Sequence, residues 1–258
     1  MCHPEVPAGT PLPDVRAQEI TIKASDGGDM LGLLAFPQGT PAPAVLIVND
    51  VFGRSDFYEH LARRIAQAGY VALDVEYFFR EGPVPAGDRE AAMARQPKLD
   101  QNRTLRDLEG ALDQLRARPE VKGARLGVIG FCMGGTLALD LTATRTDIAT
   151  VSYYGFPKGR PENPKAPPAP LEIAERMHGP LLGHWGTEDT GVGIENVREL
   201  DAKLTAAKVP HAFHEYEGFA HGFLKAFLDT EGSPGHEQAC TSWKRTLDFW
   251  RKELGRAT

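Results

Sequence analysis

Cysteine is scarce in this sequence: Cys2, Cys132 and Cys240 are the only three in 258 residues. An odd number at irregular spacing in so long a chain makes no disulfide framework, so a reducing, cytoplasmic setting is expected. Long apolar runs are absent too. No stretch approaches the roughly 18 residues of a membrane span. The opening Met1-Cys2-His3-Pro4-Glu5 has no basic region followed by an apolar run, so no signal or transit peptide is expected. Nor is there an excess of positive charge. Lys and Arg number 29 against 35 Asp and Glu, a formal net charge of −6. That balance gives no global attraction for DNA, RNA or anionic lipid, although a local basic pocket for an anionic substrate is compatible with it. There is no P-loop, no G-x-G-x-x-G fingerprint and no spacing typical of a metal site, so neither cofactor nor metal is expected. Internal repeats are lacking, and nothing in the pattern speaks to oligomeric state.

What is present is an alternation of strands and helices. Residues 1–16 are Pro-rich and unpatterned, and read as an irregular arm before a single domain over 17–258. Glu19–Ala24 and Met30–Phe36 flank the turn Ser25-Asp26-Gly27-Gly28-Asp29, which predicts a hairpin. Beyond the Pro/Gly stretch 37–43, Ala44–Asn49 is a nearly continuous apolar run, as suits a strand buried on both faces. Helical spacing follows over 57–68 and stops at Gly69. Further strands are expected at 70–74, 125–130, 148–154, 180–185 and 212–216. Further helices are expected at 100–117, 133–144, 195–207 and 237–253. Phe156–Pro170 is rich in proline and reads as a surface excursion, since strand–helix units resume after it. An antiparallel pair followed by such units predicts an α/β fold with a mostly parallel sheet and helices on both faces.

The chemistry is concentrated in Gly130-Phe131-Cys132-Met133-Gly134-Gly135, between a predicted strand and a predicted helix. This is the nucleophile-elbow pattern G-x-nucleophile-x-G, with cysteine in the place of serine. Such a turn forces the nucleophile into an unfavourable backbone conformation, and the flanking glycines permit close packing. The side chain then projects near a helix N-terminus, which favours a thiolate and an oxyanion. The Met133 N–H is one candidate oxyanion donor. A thiolate needs a base, and the base needs an orienting acid. Leu181–Trp185 runs into Gly186-Thr187-Glu188-Asp189, which puts Glu188 or Asp189 at a strand end. His221 follows the next strand within Glu217-Gly218-Phe219-Ala220-His221-Gly222-Phe223. Nucleophile, acid and histidine thus occur in the chain order of an α/β-hydrolase. His184, inside a strand, is expected to pack rather than react; His178, His211, His214 and His236 are read as structural or solvated. The loop Asn49-Asp50-Val51-Phe52-Gly53-Arg54 supplies a second oxyanion candidate, the Val51 N–H. It also carries Asp50, readable either as a loop acid or as a group acting on the thiol.

From about Glu19 to Trp250 the chain resembles the dienelactone hydrolase family. The resemblance rests on Asp50-Val51-Phe52-Gly53, the elbow at Cys132, Tyr153-Tyr154-Gly155, Gly186–Asp189 and Gly218–Phe223. It implies an α/β-hydrolase fold and a Cys132–His221–Asp189 triad, so that Asp189 rather than Glu188 is the acid. It further implies an oxyanion hole from the Val51 and Met133 N–H groups, with no metal and no organic cofactor. Founding members carry Glu where Asp50 stands, and there it holds the resting thiol and helps to generate thiolate when substrate binds. Asp50 is therefore the thiol-activation candidate, one methylene shorter. Two basic residues bind the substrate carboxylate in that family. Arg80 aligns with one, and Lys225 stands where the other is Arg, a point charge in place of a bidentate fork.

Sulfur itself narrows the substrate. Thiolate is a good leaving group, so an alkoxide competes poorly with it when a tetrahedral intermediate collapses. An enol ester or enol lactone expels a stabilised enolate, which does compete. The expected reaction is hydrolysis of a small ester or enol lactone through a thioester acyl-enzyme. Two other readings compete: a thioesterase or esterase acting on other activated acyl compounds, and a ligand-binding α/β-hydrolase-like receptor with little turnover.

Overall fold

The computed structural model describes Val6 and residues 10–85, 87–159, 163–229 and 231–255. Strands β1 (Ala17–Lys23) and β2 (Asp29–Ala35) form the antiparallel hairpin, with Ile20 opposite Gly32. Then come β3 (Ala44–Val48), α1 (Asp56–Gln67), β4 (Val71–Val75), α2 (Arg89–Arg95), α3 (Gln101–Arg116), β5 (Leu126–Phe131) and α4 (Met133–Leu141). They are followed by β6 (Ile148–Tyr153), α5 (Pro170–Ile173), β7 (Leu181–Gly186), α6 (Ile194–Ala206), β8 (His211–Tyr216) and α7 (His236–Glu253). The eight strands make one sheet in the order β1-β2-β4-β3-β5-β6-β7-β8, parallel from β4 to β8. The expected α/β-hydrolase architecture with its N-terminal hairpin is therefore present.

The sheet divides the core. On one face α1 and α7 cover side chains such as Val45, Ile47, Ile129 and Val151; on the other, α3 and α4 cover Leu46, Val48, Leu73 and Val128. Alternate residues of one strand thus serve two cores, which is why β3 reads as an unbroken apolar run. No helix among the described residues is long and apolar enough to cross a membrane.

Two local differences from the sequence pattern stand out, in segment 156–169 and at α2. Positions 10–16 carry no helix or strand, and Cys2 lies outside the described residues. Segment 156–169 is more than a surface excursion: Phe156 and Asn163 are buried, and the Asn163 amide donates to the Leu99 carbonyl at 3.0 Å. Helix α2 was not expected at all. Its signals are nonetheless in the sequence: Asp88 caps it by accepting from the Ala91 N–H at 2.9 Å, Arg-Glu-Ala-Ala-Met-Ala-Arg are good helix formers, and Pro97 helps to end it.

His184 is fully buried in β7, as expected. Its ring stacks on Tyr153 and its Nδ1 lies 2.9 Å from the Tyr216 hydroxyl. Burial holds its pKa far below the usual imidazole range, so it is a neutral packing residue that ties β6, β7 and β8 together.

Candidate active site

The nucleophile elbow follows from strand pairing. Val48 of β3 pairs with Gly130 of β5, so the loops leaving these strands emerge side by side above the C-terminal sheet edge. Cys132 has φ 55° and ψ −119°, a conformation that costs a non-glycine residue roughly 1–3 kcal/mol. The turn is held there by the Cys132 N–H donating to the Tyr153 carbonyl at 3.0 Å, and by the Thr136 N–H donating to the Cys132 carbonyl at 3.1 Å. Glycine is obligatory on either side. A Cβ on Gly130 would lie 2.1 Å from the Gly134 carbonyl oxygen, and one on Gly134 would lie 2.1 Å from that of Val48. Cys132 stands at the N-terminus of α4 and is 4 % exposed.

The acid and the histidine come from the turns after β7 and β8. These turns are zipped together: the Glu188 N–H donates to the Phe219 carbonyl, and the Gly218 N–H to the Thr187 hydroxyl, both at 2.9 Å. Asp189 Oδ2 consequently meets His221 Nδ1 at 2.6 Å, while Asp189 Oδ1 accepts from the Val192 N–H at 3.1 Å. Asp189 is buried; Glu188 is exposed and makes no such contact with the ring. Of the two acids that spacing left open, Asp189 is the one in contact with the His221 ring. Tyr154 and Phe156 pack against the imidazole at centroid distances of 4.8 and 5.5 Å.

Cys132, Asp189 and His221 line one cavity of about 380 Å³, together with Val51 and Met133. Asp50 is fully buried beside it. Its Oδ1 accepts from the Phe52 N–H at 2.9 Å, so it is at least a turn-forming acid. Tyr77 touches the same region, donating to the Asn49 and Asp50 carbonyls at 2.8 and 3.3 Å. Burial first, then the charges of Asp50 and Cys132, hold its phenol well above the usual range.

The two basic residues expected to bind a carboxylate stand elsewhere. Arg80 is taken by two acids distant in sequence: Asp26 in the hairpin turn at 2.8 Å and Asp107 on α3 at 2.6 Å. Lys225 is exposed on the short helix Phe223–Leu228. Neither is among the described residues lining the cavity, whose cation is instead Arg89 on α2. Arg89, Met93 and Gln96 are spaced to share one helix face, and all three line the cavity. No group of three or more His, Cys, Asp or Glu suited to a metal ion occurs among the described residues.

Known proteins resemble this chain in sequence and in fold. A family model described as "Dienelactone hydrolase family" matches residues 30–254. A carboxymethylenebutenolidase of Rhodococcus opacus is 34% identical over 210 residues, covering 81% of each chain. The crystal structure of a "Putative Dienelactone Hydrolase" from Klebsiella pneumoniae subsp. pneumoniae MGH 78578 superposes with a TM-score of 0.82 at 26% identity, covering 92% of this chain and 99% of the other. An acylaminoacyl peptidase of Pyrococcus horikoshii, at 18% identity and TM-score 0.72, shares the fold over 94% of this chain and 42% of its own.

Proposed function

The chain belongs to the dienelactone hydrolase family, hydrolases acting on lactone and ester bonds, and from that premise we propose that Cys132 is the nucleophile in hydrolysis of a small enol lactone or activated ester. The observation that carries the proposal is the strained elbow cysteine sharing a cavity with a histidine that is held at 2.6 Å by a buried carboxylate.

The Cys132 thiolate attacks the acyl carbon, and the carbonyl π pair moves onto oxygen. The Val51 and Met133 N–H groups receive that oxyanion. Collapse restores C=O and breaks the ring C–O bond, expelling an enolate that takes the proton His221 received from the Cys132 thiol, so the opened product remains attached as a thioester. Water then attacks the thioester, and His221 takes its proton as general base. The second tetrahedral intermediate expels the Cys132 sulfur, which returns to its resting form with the His221 proton, and the acid is released. Asp189 keeps the imidazole oriented and stabilises it when charged. Asp50 is the candidate for adjusting the resting thiol, because it lies buried on the loop beside the elbow. Arg89, rather than Arg80 or Lys225, pairs with an anionic group of the substrate at the cavity wall.

The test compares wild type, Cys132→Ala and His221→Ala on p-nitrophenyl acetate and on an enol lactone. Turnover should disappear in Cys132→Ala, and a stopped wild-type reaction should carry the acyl mass on Cys132. Wild-type turnover in Cys132→Ala removes it as nucleophile; no turnover of either substrate by wild type favours a binding protein.

A further inference from the structure

Arg95 is a buried cation that the steps above leave unused. It ends α2, is not among the residues lining the cavity, and is 5 % exposed, with its guanidinium 3.9 Å from the Phe78 ring centroid. It donates to the Gly82 carbonyl at 2.6 Å and to the Val51 carbonyl at 3.1 Å. Both peptide planes that flank Val51 are therefore pinned. The 51–52 plane is held at its carbonyl by Arg95 and at its N–H by the Asp50 carboxylate, 2.9 Å away. The 50–51 plane, which carries the Val51 N–H, is held at the Asp50 carbonyl by the Tyr77 hydroxyl at 3.3 Å and by the Gly53 N–H at 3.0 Å. A residue fixed at both planes has its N–H direction fixed too.

The fit under this turn is close. Gly53 has φ 74°, and a Cβ there would sit 2.8 Å from Arg95 Nη2 and from both carboxylate oxygens of Glu76. Glu76 in turn accepts from the Arg54 and Phe78 N–H groups, each at 3.1 Å. A buried guanidinium carries a desolvation cost that an apolar side chain of similar volume would avoid, so a purely packing role explains it poorly.

We infer that Arg95 is a positioning residue for hydrolysis: by holding the Val51 carbonyl it aims the Val51 N–H at the oxyanion, and it anchors that aim to the helix whose other face lines the cavity. The inference rests on the oxyanion hole proposed above.

The test uses Arg95→Met and Arg95→Lys with two readouts. One is kcat and KM on an activated ester. The other is the rate at which iodoacetamide alkylates Cys132, followed by peptide mass spectrometry; that substitution needs the thiolate but forms no oxyanion. Arg95→Met should lose about 30- to 100-fold in kcat with KM within about threefold. Alkylation should stay within about twofold of wild type, and Arg95→Lys should recover part of kcat, since it keeps one donor. An unchanged kcat, or equal losses in kcat and alkylation, overturns the inference. If Arg95→Met does not fold, Tyr77→Phe removes a single hydroxyl from the same clamp and must give the same split or the inference fails. Cys132→Ala, run alongside, reports on the underlying reading: its retained turnover sinks the nucleophile, not the clamp.

Discussion

Replacing Gly134 by alanine puts helix propensity and tertiary packing in direct opposition. Gly134 lies in the first turn of α4, where alanine would ordinarily favour the helix by about 1 kcal/mol. The new Cβ, however, would stand 2.1 Å from the Val48 carbonyl oxygen and 2.2 Å from that of Asn49. Both are backbone atoms, so no rotamer change relieves the contact. The start of α4 and the end of β3 must separate by about 1 Å, and overpacking of this kind costs roughly 1–3 kcal/mol, here at the upper end. The same separation pulls the Met133 N–H away from the Val51 N–H, and a misplacement near 1 Å costs about 100-fold in rate. Urea unfolding and kcat on p-nitrophenyl acetate read the two effects. Gly218→Ala serves as control, because nothing lies within 4 Å of its Cβ and only the strain of φ 75° remains. The reasoning is refuted if Gly134→Ala is as stable as wild type, or if its kcat stays within about twofold.

The remaining expectations concern single groups. Asp189→Asn should lower kcat about 100- to 10,000-fold with little loss of stability, because the 2.6 Å partner of His221 loses its charge but not its shape; a loss under tenfold would detach Asp189 from the imidazole's work. Arg89→Ala should raise KM about tenfold more for an anionic ester than for a neutral one, and equal effects would remove it from substrate recognition. Asp140 on α4 is buried, and that burial holds its carboxyl well above the usual range. The folded state therefore keeps a proton that the unfolded chain releases above its ordinary carboxylate pKa, so this group lowers stability as pH rises. Relative to wild type, Asp140→Asn should gain about 1.4 kcal/mol per pH unit from near pH 4 upward, until the folded carboxyl ionises; a pH-independent difference would contradict the assignment. His60 is the mirror case: burial, then Arg64, lower its pKa to about 4. Stability should rise with pH between about 4 and 6.5, and His60→Gln should flatten that part of the profile in a urea-melt series.

Much of this architecture was legible because local signals and tertiary packing agree. Ala44–Asn49 reads as a strand since every side chain of β3 enters one core or the other. The helix expected over 133–144 ends three residues earlier, at Leu141, where Thr142 caps it and its hydroxyl donates to the Leu139 carbonyl at 2.6 Å. Helix α2 leaves no periodic stripe in the sequence, since it is short and packs only Ala92 and Arg95 inward. Chain order alone brings the elbow, the Glu188–Asp189 turn and His221 to one edge of the sheet, as each follows a parallel strand.

The identity of the pocket's cation was beyond sequence. Arg80 and Arg89 are equally plausible as residues along a chain; the outcome turns on Asp26 and Asp107, which come from the hairpin and from α3 to claim Arg80. The same holds for Arg95, whose partners Val51 and Gly82 are 44 and 13 residues away. By itself, then, the sequence determined the sheet, the turn that strains Cys132 and the order of the groups that follow it, all of which depend on local backbone geometry and on burial period. Only the tertiary structure decided which acid faces His221, which arginine faces the cavity and which one bonds the Val51 carbonyl. Those choices are made by distances between segments far apart in the chain, and no local pattern encodes them.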